Sequence, residues 1–458
     1  MDDLAQLLHR AAAAAADHRA TVAERPVAPP VDRAALRAGF GGELPDRGTD
    51  PGTVLDELLA AAGPGLVGTA GPRFFGFVIG GALPAATAAD VLTGGWDQCG
   101  FNAVLSPAAA AAEDCAGRWL KDLLGIPQTA SVGFVTGGQE ANTVGLAAAR
   151  HHVLQQVGWD VERDGLAGAP RVRVVAGEER HGTVARSLRL LGFGTGLVEA
   201  VAADANGAID VAGLERVLVT GPAAPTIVAL QAGNVNTGAC DDLRSAIAVA
   251  RRHGAWVHVD GAFGLWAGAA DATRHLVDGV ELADSWACDG HKWLNVPYDS
   301  GFAFCAHPDV HAAAVSYTAS YLVGSGAGEH VLSDLVLQSS RRARGFTAWA
   351  ALRELGRDGV ADLVDRCCRL ARRFADGLAA GGAEVVNDVV LNQVLVGFGS
   401  DDRTDHVIGA VQRDGTCWLG GTTWRGRRLM RVSVSNWSTT EADVDASVAA
   451  ILRVAATS

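Results

Sequence analysis

Lysine is almost missing from this chain: arginine carries nearly all the positive charge, and Lys121 and Lys292 are the only lysines. Aromatic residues are also scarce, at 6% of the chain, so Ala, Val, Leu and Gly must pack most of a core drawn from 49% hydrophobic residues. No CxxC pair occurs among the scattered cysteines 99, 115, 240, 288, 305, 367, 368 and 417. A chain of 458 residues needs no disulfide staples, so buried free thiols are the expectation. No basic stripe exists either. With a formal net charge of -13, little is available to neutralise phosphates, which argues against nucleic acid and membrane as partners. The local cluster Arg341, Arg342 and Arg344 reads as a solvated helix start or a subunit contact. Met1-Asp2-Asp3-Leu4 is acidic where a signal peptide needs positive charge. The alanine run from Ala11 to Ala16 is too short to span a bilayer, and the apolar stretch near 74–96 is broken by Pro84 and Asp90. These features point to a soluble cytoplasmic protein. No metal site is expected: HExxH is absent, and His253 and His258 do not share a helix face.

Length alone allows about three domains, and no internal repeat divides the chain. Residues 1–70 read as an N-terminal helical arm, with a helix, a Pro-rich stretch (Pro26, Pro29, Pro30) and a second helix at about 51–62. Such an arm buries little by itself and suits a partner subunit. From about 105 to 305, apolar runs at 171–176, 225–231, 255–260 and 301–305 alternate with amphipathic segments. One of these, 241–253, starts on Asp241 and Asp242 and ends on Arg251, Arg252 and His253, the charge order a helix dipole favours. This alternation predicts βαβ units, a mostly parallel sheet and an α/β fold class, with a large domain over 71–345. After it, a long helical stretch (346–381), strand-like segments (383–398 and 428–435) and a closing helix (440–455) predict a small α+β domain over 346–458.

Four segments carry chemistry. In 283–305, a strand ends near Cys288 and His291-Lys292-Trp293 follows on the loop before the next strand. Ligands of open α/β sheets bind at the carboxyl ends of strands. There, desolvation draws an ammonium towards the neutral amine that Schiff-base chemistry uses. A snorkelling surface lysine is the plainer reading, but a chain that otherwise uses arginine has kept lysine where arginine forms no imine. In 255–264, Asp260 closes an apolar strand; a carboxylate there can pair with a protonated pyridine nitrogen, or can simply form a turn. In 132–146, Thr136-Gly137-Gly138-Gln139 opens a helix whose amides suit a phosphate, although Gly-Gly is also common punctuation. The Walker and GxGxxG patterns are both absent. In 175–187, His181 follows a strand and can stack on a flat ring or manage protons, or be structural.

In the order glycine turn, His, Asp, His-Lys, the chain resembles the group II pyridoxal-phosphate (PLP) decarboxylases that act on aromatic amino acids, glutamate and tyrosine. The resemblance runs from about residue 50 to the C-terminus, and Asp260 and His291-Lys292-Trp293 are its most specific parts. It implies a type I, aspartate aminotransferase-like fold, PLP as cofactor, an amino-acid substrate, and a homodimer with active sites at the interface. By this resemblance Lys292 is the Schiff-base lysine, Asp260 the pyridinium partner and His181 the ring-stacking histidine. Gly138, Gln139 and His291 match the phosphate cradle. Asn234 falls where several relatives have a Thr near the lysine. Arg431 matches an arginine that meets the substrate carboxylate, and Phe74 and Phe75 match a segment lining the substrate pocket. With Trp96 and Phe101, these rings hint at an apolar or aromatic substrate, or are simply core.

Two departures bear on the reaction. Asp289 stands where aromatic decarboxylases often carry Asn, and a second anion near a phosphate is unwelcome unless it points away or is hydrogen-bonded. The loop 322–338 has no tyrosine, where the family usually has one that protonates the carbanion; His330 is its obvious proton donor, and Gly324, Gly326 and Gly328 suit a lid. Decarboxylation to the amine is therefore expected, with oxidative decarboxylation–deamination to an aldehyde, or C–C cleavage of a β-hydroxy amino acid, as alternatives.

Overall fold

Strands that are apolar along their whole length need cover on both faces, and β-branched runs flanked by helices supply it. The protein is described by a computed structural model covering residues 2–317 and 331–457. His330, the proton donor expected from sequence, lies outside the described residues. Two compact units are present: the larger comprises Ala82–Arg372 and Asn387–Val394, the smaller Met1–Gly81, Arg373–Val386 and Leu395–Ser458.

In the larger unit the strands are β1 (Ser131–Val135), β2 (Arg173–Gly177), β3 (Val198–Val201), β4 (Thr226–Gln231), β5 (Trp256–Asp260), β6 (Ser285–Asp289) and β7 (Gly301–Cys305). Their order is β1-β7-β6-β5-β4-β2-β3. The pairs β6–β5, β5–β4, β4–β2 and β2–β3 are parallel, while β7 runs antiparallel to both β6 and β1. The fold class is thus α/β with a mostly parallel sheet, as the alternation predicted. Every residue of β4 to β7 is buried. The helix Gly138–Gln155, itself largely buried, packs on β5, β6 and β7. The helix Leu243–Arg252 is capped by the Asp242 carboxylate, which accepts the Ser245 N–H, and carries Arg251 and Arg252 in its last turn.

One register decides where the site forms. Gly301 pairs with Val135 of β1 on one side and with Asp289 of β6 on the other. Both of those strands end beside it, so the turn after β1 and the loop after β6 emerge as neighbours. Gly301 has to be glycine, because an added Cβ would lie 2.5 Å from the Gly137 Cα.

In the arginine cluster, Arg341 and Arg344 are buried, which corrects the solvated reading made from sequence for these two, while Arg342 is exposed. Arg341 is buried and makes paired hydrogen bonds of 2.6 and 2.7 Å to Glu113, Arg342 bonds to Asp90, and Arg344 bonds to Asp299. The expected long helix is present as Gly345–Ala380, broken at Gly356, whose φ of 61° leaves the helical region.

A second sheet is formed by β8 (Glu384–Val385), β9 (Gln393–Gly397), β10 (Gly420–Trp424) and β11 (Arg427–Ser433), in the order β10-β11-β9-β8. Leu395, Trp424 and Leu429 form a buried cluster on this sheet. The helix Glu441–Ala456 starts on a reciprocal capping box between Thr440 and Asp443. Among the described residues, no helix is long and apolar enough to cross a membrane.

Candidate active site

Strand ends in the larger unit deliver the chemistry. Asp289 is the last residue of β6, with a side chain only 2% exposed. Its carboxylate is a meeting point: Oδ2 lies 3.0 Å from Lys292 Nζ, and Oδ1 accepts the Gly138 N–H at 2.5 Å and lies 3.3 Å from His291 Nε2. The anion that the sequence reading found unwelcome is therefore hydrogen-bonded. His291 Nδ1 accepts the Ser300 N–H, so the neutral ring carries its proton on Nε2, facing Asp289. Burial holds the His291 pKa below its usual value; Asp289 opposes that shift and Lys292 adds to it. The Tyr298 ring stacks on His291 with centroids 4.5 Å apart. Gly137 and Gly138 are required by space: a Cβ on the first would sit 2.7 Å from His291 Cε1, and on the second 2.9 Å from Asp289 Oδ2.

Asp260 closes β5 one strand away. Ala262 ties it to this cluster, donating its N–H to the Asp260 carboxylate and accepting the Asp289 N–H on its carbonyl. Asp289, Lys292 and Asp260 all bear on the buried Cys288 thiol. Burial is the main cause that lifts its pKa; the two carboxylates add to the shift and Lys292 opposes it. Asp260, His181 and Arg180 line a small cleft at the carboxyl ends of the parallel strands.

His181 caps the helix Gly182–Leu190, its Nδ1 accepting the Thr183 N–H at 3.2 Å. The Thr183 hydroxyl faces two acceptors, His181 Nδ1 at 2.8 Å and Asp260 Oδ2 at 3.4 Å. Behind it runs a buried relay of fixed polarity. The Trp256 indole N–H donates to Ser285 Oγ, and the Ser285 hydroxyl donates to His258 Nδ1. His258 Nε2–H then donates to Asn142 Oδ1, and the Asn142 amide donates to Thr183 Oγ1. Burial pushes the His258 pKa down to about 3, which keeps the ring in the neutral form this polarity requires.

Sequence reading missed Thr183, Asn142 and His258. Alternation along a strand puts His258 and Asp260 on one face of β5, and that is the signal from which His258 was legible. The partnership with Asn142 spans 116 positions of chain and left no local trace.

Other expected site residues are placed as follows. Gln139 turns its amide onto Ser187 Oγ, at 2.8 Å. Asn234 is fully buried; its amide donates to the Glu179 carbonyl, and its Oδ1 accepts the Asn236 and Thr237 N–H groups, which shapes the loop after β4. Phe74, Phe75 and Arg431 belong to the smaller unit. Phe74 stacks on Trp418 at 4.9 Å, and Phe75 meets Phe374 edge-on at 5.1 Å. Arg431 lies on β11 opposite Gly420, and burial lowers its pKa. The second lysine of the chain, Lys121, is buried and donates to the carbonyls of Gln128 and Ala130, each at 2.8 Å.

The profile described as "Pyridoxal-dependent decarboxylase conserved domain" matches residues 35–398. Tryptophan decarboxylase 1 of Oryza sativa subsp. japonica is 28% identical over 95% of this chain and 90% of its own. A phenylacetaldehyde synthase of a Rosa hybrid cultivar is 26% identical over 78% of this chain and 72% of its own. The crystal structure of Oryza sativa TDC with PLP and tryptamine superposes with a TM-score of 0.92 at 25% identity, covering 100% of this chain and 98% of that one.

Proposed function

The chain belongs to the pyridoxal-dependent decarboxylase family, and on that premise we propose that Lys292, Asp260 and His181 carry its reaction. The enzyme is a PLP-dependent amino-acid carboxy-lyase with the type I, aspartate aminotransferase-like fold. In the same proposal, Gly138, Gln139, Asn234 and His291 join these three in holding the cofactor, and Phe74, Phe75 and Arg431 meet the substrate. The residues present suit such a group: an amine on a strand-end loop, a glycine turn whose added Cβ would be crowded, and a carboxylate beside a histidine in a cleft.

Bound PLP supplies an aldehyde carbon that an amine captures and a charged ring that accepts the electron pair left as carbon dioxide departs. The protein's part is to hold and orient. Lys292 presents the amine. Asp260, anchored by the Ala262 N–H, keeps a proton on the ring nitrogen. His181, its Nδ1 engaged by Thr183, presents a flat imidazole with the neutral ring's proton on Nε2. Arg431 positions the substrate carboxylate without clamping it, since a tighter grip would stabilise the ground state.

One observation carries this reading. Of the two lysines in the chain, Lys121 is spent on backbone carbonyls and Lys292 is held against a buried carboxylate at a strand end. Lys292→Ala should abolish the yellow, borohydride-reducible absorbance of the purified protein; retained absorbance would refute the assignment. Incubation with a panel of amino acids should release carbon dioxide, and we propose an aromatic side chain as the preferred one. Equal release from glutamate and diaminobutyrate would count against that preference.

A second reading rests on the tyrosine-free loop 322–338 and on kinship with a phenylacetaldehyde synthase. An amino acid, dioxygen and water would give the aldehyde, carbon dioxide, ammonia and hydrogen peroxide. Peroxide and aldehyde in step with carbon dioxide would establish it, and stoichiometric amine would exclude it. We further propose a cytoplasmic homodimer with active sites at the interface.

A further inference from the structure

We infer that Asp289 is an internal anion that competes with the cofactor's phosphate for the Gly138 amide, the His291 ring and Lys292, and so limits how tightly this chain holds PLP. The inference rests on the site proposed above and concerns a residue to which that proposal gives no role.

An ionised Asp accepts hydrogen bonds and donates none. Asp289 takes the Gly138 N–H at 2.5 Å, stands 3.0 Å from the Lys292 ammonium and lies 3.3 Å from His291 Nε2. These are the donors on which a phosphate and an aldehyde in this site would draw. Asp289 has little freedom to leave. Its backbone N–H is tied to the Ala262 carbonyl, its backbone carbonyl accepts the Trp266 indole N–H at 3.1 Å, and the side chain is 2% exposed. It also stands at the first turn of the helix Gly138–Gln155, where the helix dipole already favours negative charge.

The charge balance then works against the cofactor. Without the cofactor, the carboxylate is matched by Lys292. An amine engaged with an aldehyde no longer offers that ammonium with its three donors, and a phosphate brings further negative charge to the same turn. Two anions would then share one helix N-terminus, an arrangement that like charges disfavour. An asparagine would reverse the sign. Its Oδ1 still accepts the Gly138 N–H, and its Nδ2 donates where the carboxylate repels. A plainer reading makes Asp289 a purely structural brace for Lys292. The two readings differ in sign, because a brace lost would loosen the cofactor, whereas a competitor lost tightens it.

The test compares Asp289→Asn with the unaltered chain, both resolved from cofactor and titrated with PLP, the bound fraction read by absorbance. The expected result is a dissociation constant about tenfold to a hundredfold lower in the variant, the range set by one hydrogen bond to a charged group. Inorganic phosphate alone should also raise the melting temperature of cofactor-resolved Asp289→Asn more than that of the unaltered protein. An unchanged or weaker affinity in the variant overturns the inference and leaves the site assignment standing. If the unaltered protein takes up no PLP at all, the site assignment fails and this inference falls with it. Should the variant not fold, the unaltered enzyme decides: pyridoxal, which keeps the aldehyde and lacks the phosphate, should bind within about tenfold of PLP, and a preference for PLP beyond about a hundredfold refutes competition.

Discussion

The two lysines show how far residue type is from residue role. Lys121 and Lys292 are both withdrawn from solvent, yet the first donates to two backbone carbonyls and the second faces a carboxylate at a strand end. What separates them is the chemistry of the partner. The same scale governs His258. Burial sets its folded pKa near 3, against 6.5 for the free side chain, so below about pH 6.5 the unfolded chain takes up a proton that the folded chain refuses. Its contribution is complete above pH 6.5 and is lost as the pH falls towards 3, by about 1.4 kcal/mol per pH unit. His311, with a pKa lowered to about 4 by burial, acts in the same direction. Chemical unfolding of His258→Gln should therefore show stability already reduced at pH 7 and a shallower decline between pH 6 and 4. An unaltered slope would remove His258 from the acid response.

Among elements, the antiparallel insertion of β7 matters most. By lying between β1 and β6 it carries the glycine turn and the lysine loop to the same point, with Gly301 at the crossing. A methyl group there would meet three backbone atoms of Gly137 at 2.5 to 2.9 Å, and backbone yields less readily than a flexible side-chain tip. Gly301→Ala should cost roughly 1–3 kcal/mol in denaturant unfolding, the usual penalty for overpacking, and should weaken PLP retention. Wild-type stability with wild-type retention would show that the turn can shift freely. The strands β2, β4, β5 and β7 were readable beforehand as short apolar runs, and the helix Leu243–Arg252 because its ends carry the right charges, whereas β3, with Glu199 inside it, was not. The crossing was not readable, since the pairing of β7 with β1 joins residues more than 150 positions apart.

Across the whole molecule, the arginine cluster shows that charge in a sequence does not announce exposure. Arg341 and Glu113, 228 positions apart, form a buried ion pair, and a buried charge without its partner is costly. The proposed homodimer belongs to this scale too. Trp96 and Trp349, both in the larger unit, are 53% and 41% exposed, more than large aromatics usually are in a finished assembly. Analytical ultracentrifugation should return about twice the chain mass of 47.1 kDa, and a monomer across micromolar concentrations would sink the dimer.

The sequence by itself determined the fold class and the family resemblance and singled out the amine proposed to react, because these rest on local signals: short apolar runs, capped helix ends, a lysine in an arginine-rich chain. Only the tertiary structure decided what surrounds that amine. Asp289 reads as an intruder in one dimension and stands in three as the common acceptor of an amide, an imidazole and an ammonium. The relay from Trp256 to Thr183 appears only once two strands and two helices are packed. Hydrogen bonds and ion pairs act over about 3 Å whatever the separation along the chain, so those between distant segments, such as the Gly138 amide and Asp289, leave no local pattern.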